Sequence, residues 1–157
     1  MKHDDGFTLI ELMIVVVIIG LLAAIATSNW LSMQASAKEA STKSSCHSLQ
    51  LAAEDFAVRN DGIYAGVLAD ADPSGRTFQS LLPDNGQLMF NPFSQARSEP
   101  SVFAVAAPGG VPPLNGGAPG EVTYTLLQRG NANVGYWITG AGRSPQLATV
   151  ITLSSGQ

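Results

Sequence analysis

The chain has 157 residues, 45% of them hydrophobic and 13% charged, with 8 Lys and Arg against 12 Asp and Glu, a formal charge of −4 and 1 Cys. That length holds one ordinary domain plus an appendage and leaves no room for a second independent core. Lys38, Lys43, Arg59, Arg76, Arg97, Arg129 and Arg143 are scattered, so no basic cluster points to a nucleic-acid partner, and the lone Cys46 excludes an intramolecular disulfide.

The first element is apolar. Between Leu12 and Ala26 there is no charge, and ten of those fifteen positions are Leu, Ile or Val. Counted from Phe7, the segment would reach about 30 Å as a helix, the hydrocarbon thickness of a bilayer. The run from Ile14 to Ile19 is entirely β-branched, yet helix is expected because lipid satisfies no backbone group. Glu11 stands at the start of this run. Ten Leu, Ile and Val contribute roughly −3 to −6 kcal/mol to insertion against about +3 for a central acidic residue, so insertion wins. A plain anchor gains nothing from the carboxylate, and a partner for it is therefore expected. Cleavage between Gly6 and Phe7 would supply one, since the new Phe7 amine lies one helical turn from Glu11. Pairing between neighbouring copies would relieve the buried charge only in the correct axial register. A competing reading takes Ala24-Ile25-Ala26 as a signal-peptidase site that releases a soluble module starting at Thr27.

The stretch GFTLIELMIVVVIIGLLAAIA resembles the amino-terminal segment of type IV pilins and of the pseudopilins of type II secretion systems. The resemblance covers about the first third of the chain. It implies a prepilin peptidase that cuts after Gly6 and methylates Phe7, a role for Glu11 in subunit recruitment, and self-polymerisation into a helical filament through the apolar helices. Other implied partners are membrane lipid before assembly and the inner-membrane pilus or secretion machinery; no cofactor is implied. Three departures stand out. The leader MKHDDG is acidic where leaders of the family are usually basic, Ser28 occupies the place of a common proline, and the pair of cysteines that often closes a carboxy-terminal loop is missing.

Past Ala26 no Gly or Pro interrupts the chain before Gly62, so helix is expected to continue. A helix from Phe7 to Asn60 would be about 80 Å long, one half in the membrane and the other against a head. Cys46, Leu49, Ala53 and Phe56, joined by Ala52 and Ala57, form an apolar stripe, while Lys38, Lys43, Glu54, Asp55 and Arg59 read as polar punctuation. Asn60-Asp61-Gly62 is a stop, with Gly62 suited to a left-handed cap. Residues 61–100 hold turn clusters and read as a connecting loop with one short helix. Four strand candidates follow, Ser101 to Ala107, Glu121 to Leu127, Gly135 to Gly140 and Leu147 to Leu153, patterned as an antiparallel meander. The stretch PGGVPPLNGGAPG between the first two reads as a mobile exposed loop. The expected fold is α+β, a long amino-terminal helix packed on a small antiparallel sheet of three to four strands, as in type IV pilins. Its parts are a leader (1–6), a transmembrane and filament-core helix (7–28), an amphipathic helix (29–60), a connecting region (61–100) and the sheet of the head (101–157).

No catalytic constellation emerges. Cys46 and His47 are adjacent and point about 100° apart on a helix, so Cys46 reads as core and His47 as surface; His3 leaves with the leader. Gly140-Ala141-Gly142-Arg143 lacks the context of a phosphate loop and reads as a turn between strands. Asp70, Asp72 and Ser74 before Gly75 have the opening offsets of a calcium loop, but Leu81 sits where the closing carboxylate belongs, which favours a solvated turn. Major pseudopilins carry a calcium loop near the carboxy terminus, and the strands here have no matching acidic cluster. The resemblance thus implies, for a protein that is not an enzyme, a prepilin inserted as a single-pass inner-membrane precursor and then an extracellular pilus subunit. The alternative is a periplasmic pseudopilin.

Overall fold

A computed structural model of the chain describes residues 6–98, 100–106, 118–143 and 149–155. Helix α1, Leu9–Arg59, is unbroken. Contacts divide the chain into two compact units, Met1–Ser36 and Ala37–Gln157.

In the first unit every large hydrophobic side chain from Phe7 to Ile25 is exposed. The helix runs through position 28 without a break. Hydroxyls near this point bond back to the helix, Thr27 Oγ1 to the Ala23 carbonyl at 2.8 Å and Ser32 Oγ to that of Asn29 at 2.9 Å.

In the second unit α1 lays its stripe of Cys46, Leu49, Ala52, Ala53 and Phe56 into the core, as its helical spacing predicts. The stripe meets Phe78, Leu82, Val122, Tyr124, Leu126, Tyr136 and Ile138. The helix ends as expected, with the Gly62 amide donating to the Ala57 carbonyl at 2.8 Å and left-handed φ values at Asp61 and Gly62.

Residues 61–100 hold more structure than a connecting loop with one helix. Thr77 caps a 3-10 turn, Phe78–Leu81, and Pro83–Gly86 forms a single turn whose Asp84 and Asn85 take φ of 54° and 59°. Strands β1 (Met89–Phe90) and β2 (Arg97–Ser98) pair antiparallel. This ribbon is only two residues deep, too short for period-two patterning to mark it.

The main sheet has strands β3 (Ser101–Ala106), β4 (Val122–Arg129), β5 (Ala132–Ala141) and β6 (Thr149–Ser154), in that spatial order. Each falls on an expected strand. Pairs β4–β5 and β5–β6 are antiparallel, but β3 runs parallel to β4, which corrects the all-antiparallel meander. Alternation along a strand records which face is buried and carries nothing about direction. Residues 107–121 separate β3 from β4, long enough for the return that parallel strands require. Strand β5 also runs through Gly140 and Ala141, so Gly140 to Arg143 is a strand end rather than a turn. Most of the glycine- and proline-rich stretch between β3 and β4 lies outside the described residues. Both faces of β4 are buried, Tyr124 and Leu126 on one and Thr123 and Thr125 on the other.

One glycine is fixed by its surroundings. Gly120 has φ +78 and a side chain there would run into Asn91, whose amide donates to the Pro119 carbonyl at 2.9 Å and whose Oδ1 accepts from the Phe93 amide at 2.8 Å.

Candidate functional site

The exposed amino-terminal turn carries the expected processing and assembly residues. Gly6, Phe7 and Thr8 precede the helix, and Thr8 is its N-cap. The Thr8 amide donates to Glu11 Oε2 at 2.9 Å and the Thr8 hydroxyl to the same oxygen at 2.7 Å, while the Glu11 amide donates to Thr8 Oγ1 at 3.3 Å. Thr8-Leu9-Ile10-Glu11 is thus a reciprocal capping box that satisfies amides the first turn leaves unpaired. This corrects the expectation that a plain anchor gains nothing from Glu11, because the carboxylate starts the helix. The signal was readable, a Thr followed three residues later by Glu before an apolar run. Among the described residues Glu11 Oε1 makes no hydrogen bond, so one carboxylate oxygen stays open to a second donor.

Beyond this turn the large apolar side chains of the helix are exposed among the described residues. The helix is long and apolar enough to cross a membrane, and its most apolar stretch is 0% buried. A core helix of a soluble protein would instead be mostly covered.

In the head, the calcium-loop candidates serve the loop itself. Asp70 Oδ2 accepts from the Gly66 amide at 2.6 Å and the Val67 amide at 3.1 Å. Asp72 is buried rather than solvated; its Oδ1 accepts from the Ser74 amide, the Ser74 hydroxyl and the Arg76 amide at 2.9, 2.5 and 3.0 Å, and Oδ2 lies 3.6 Å from Arg76 Nε. An Asp that closes its own turn stands in for the missing helix or sheet partners of that turn. Among the described residues no three His, Cys, Asp or Glu gather as metal ligands. Cys46 is fully buried and His47 exposed. Burial pushes the Cys46 thiol up to about 12, so it stays protonated and inert.

Glu54 is more than polar punctuation: it accepts from the Tyr136 hydroxyl at 2.6 Å through Oε1 and from the Tyr64 hydroxyl at 3.2 Å through Oε2. The two phenol rings meet edge-on at 5.1 Å, and Tyr124 stacks on Tyr136 at 5.5 Å. Asn133 ties the same region to β5, donating to the Tyr64 carbonyl at 2.9 Å. Nothing in the spacing of Glu54, Tyr64 and Tyr136 marks them as neighbours, since they sit on three different segments. The cluster locks helix to sheet.

Residues 1–27 match the family model described as the prokaryotic N-terminal methylation motif. The amino-terminal segment is thus similar to those of proteins that carry a prepilin-type methylation motif. Over 59 residues the chain is 50% identical to the type IV major pilin protein PilA of Myxococcus xanthus (strain DK1622), a match that covers 38% of this chain and 27% of that pilin. No solved structure matches the chain. The matched motif and the apolar half of α1 thus occupy the same end of the chain.

Proposed function

We propose that the chain is a prepilin, cleaved after Gly6 by a prepilin peptidase, methylated at Phe7, and polymerised through its apolar helix into an extracellular type IV pilus-like filament. The observation that carries this reading is the uncovered apolar helix headed by Glu11. Burying that surface against other copies removes from water what the chain itself leaves exposed. After cleavage the Phe7 amine is a cation beside Glu11, and the open Oε1 can take the amine of a neighbouring copy while Oε2 holds its own Thr8. Only one axial register makes that second bond, and any other leaves a charge unpaired in an apolar bundle.

Peptide mass spectrometry of the chain from sheared surface fibres and from the cell envelope tests this. The expected result is a chain in the fibres that begins at Phe7 and carries one added methyl. A start at Thr27 would mean a signal peptide and a released module, and a methylated chain confined to the envelope, with protein secretion lost on deletion, would mean a pseudopilin.

A further inference from the structure

The apolar run has a charged inner limit in Glu11, but its outer limit carries no charge, because the next ionisable residue is Lys38. Charge therefore does not decide where the helix leaves the membrane. Trp30 can. It is exposed on the unbroken helix, and Ala23, Ala26 and Thr27 make the open surface beside it largely apolar. Those residues precede it by three, four and seven positions and so share its face. The Thr27 hydroxyl is spent on the Ala23 carbonyl, which leaves this surface little to bond with except the indole N–H. From Glu11 to Trp30 is nineteen residues, about 29 Å of helix, against a hydrocarbon thickness of about 30 Å.

We propose that Glu11 and Trp30 are the two boundary residues of the membrane span before assembly, with Trp30 seated in the headgroup layer on the side of the head. The inference rests on the membrane-anchored prepilin reading. Tryptophan suits this place because its ring is apolar and its N–H needs a polar partner. The assignment sets the register of the span. Its midplane falls at Gly20 and Leu21, whereas a span from Phe7 to Ala26 would centre on Val16 and Val17. It also leaves the Gly6–Phe7 bond about 6 Å outside the hydrocarbon, where the water consumed in its hydrolysis is at hand.

The test uses the full chain in phosphatidylethanolamine and phosphatidylglycerol vesicles. Fluorescence quenchers are placed either at the headgroup, as a nitroxide, or deep in the acyl chains, as bromines. The Trp30 signal is the difference between the native chain and Trp30→Phe, a change at an exposed site that leaves the head intact. Leu21→Trp and Val16→Trp, each made in the Trp30→Phe chain, report depth. The expected result is Trp30 quenched about twofold more by the headgroup probe than by the deep one, with Leu21→Trp deeper than Val16→Trp. Val16→Trp deepest, or Trp30 quenched mainly by bromine, would overturn the register and leave the membrane reading standing. A Trp30 that neither probe reaches while Leu21→Trp is quenched would place protein, such as a second copy, over Trp30 and overturn its assignment to the headgroup layer. If no reporter is quenched, the membrane reading itself falls, and the proposal with it.

Discussion

Glu11 carries two duties that one substitution can separate. A Gln at this position can still accept from the Thr8 amide, because a capping box works with either side chain, but it cannot neutralise an amine. Glu11→Gln is expected to keep the precursor helical, inserted and cleavable while lowering filament yield, as judged by shearing and immunoblot of fibres. Thr8→Ala should do the reverse, costing about 1 kcal/mol of capping with assembly largely kept. Filament yield from Glu11→Gln equal to that of the native chain would remove the charge from the assembly mechanism. In the head, the tyrosines divide in a similar way. Tyr136 donates to a carboxylate, so Tyr136→Phe should cost about 1.5–3 kcal/mol. The Tyr124 hydroxyl is buried with no hydrogen-bond partner among the described residues, so Tyr124→Phe should be neutral or stabilising. Thermal unfolding of the detergent-solubilised chain, followed by near-ultraviolet circular dichroism, compares the two.

The contact of α1 with the sheet has a pH limit set by its buried acids. Burial raises the Cys46 thiol to about 12 and raises the Tyr124, Tyr136 and Tyr64 phenols above their ordinary 10.0, helped at Tyr136 and Tyr64 by the Glu54 carboxylate. A folded-state pKa above the unfolded value means that the folded chain holds protons which the unfolded chain has already lost, so stability falls as pH rises between the two values. The interface is thus expected to hold at neutral pH and to weaken from about pH 9 upward, first through the thiol and then through the phenols. Chemical denaturation at stepped pH reads this directly. Cys46→Ala should flatten the earliest part of the loss, and a midpoint that does not move up to pH 11 would contradict it. Maleimide should leave Cys46 unmodified at pH 8 until denaturant is added, since the thiol is both buried and protonated.

For the whole molecule, the two compact units predict different responses to truncation. The buried stripe on α1 starts beyond Ser36, with Thr42 and Cys46. A chain beginning at Ala37 is expected to stay folded and to need no detergent, because it keeps the whole buried core of the described residues and loses the apolar run. A chain beginning after Ala57 gives up Leu49 and Phe56 as well. Removing one such side chain costs about 2–5 kcal/mol, comparable with the stability of a small domain, so the sheet alone should not fold. Circular dichroism and size-exclusion chromatography of the two fragments settle the matter.

What the sequence determined by itself is what depends on neighbours along the chain. The uncharged run after Glu11 dictates a helix with an apolar surface, the stripe from Cys46 to Ala57 dictates which face of α1 is buried, and Asn60-Asp61-Gly62 ends it; each is a local pattern read against one solvent. The capping box at Thr8 and Glu11 is equally local, a Thr three residues before a Glu. The tertiary structure decided what depends on contacts between distant segments. The parallel direction of β3 follows from how the chain returns, the ribbon of β1 and β2 is too short to leave a pattern, and Asp72 is buried because its own loop folds over it. Glu54, Tyr64 and Tyr136 became one hydrogen-bonded group only when helix and sheet closed on each other, since residue type and spacing along a chain do not encode which side chains from three segments will share a partner.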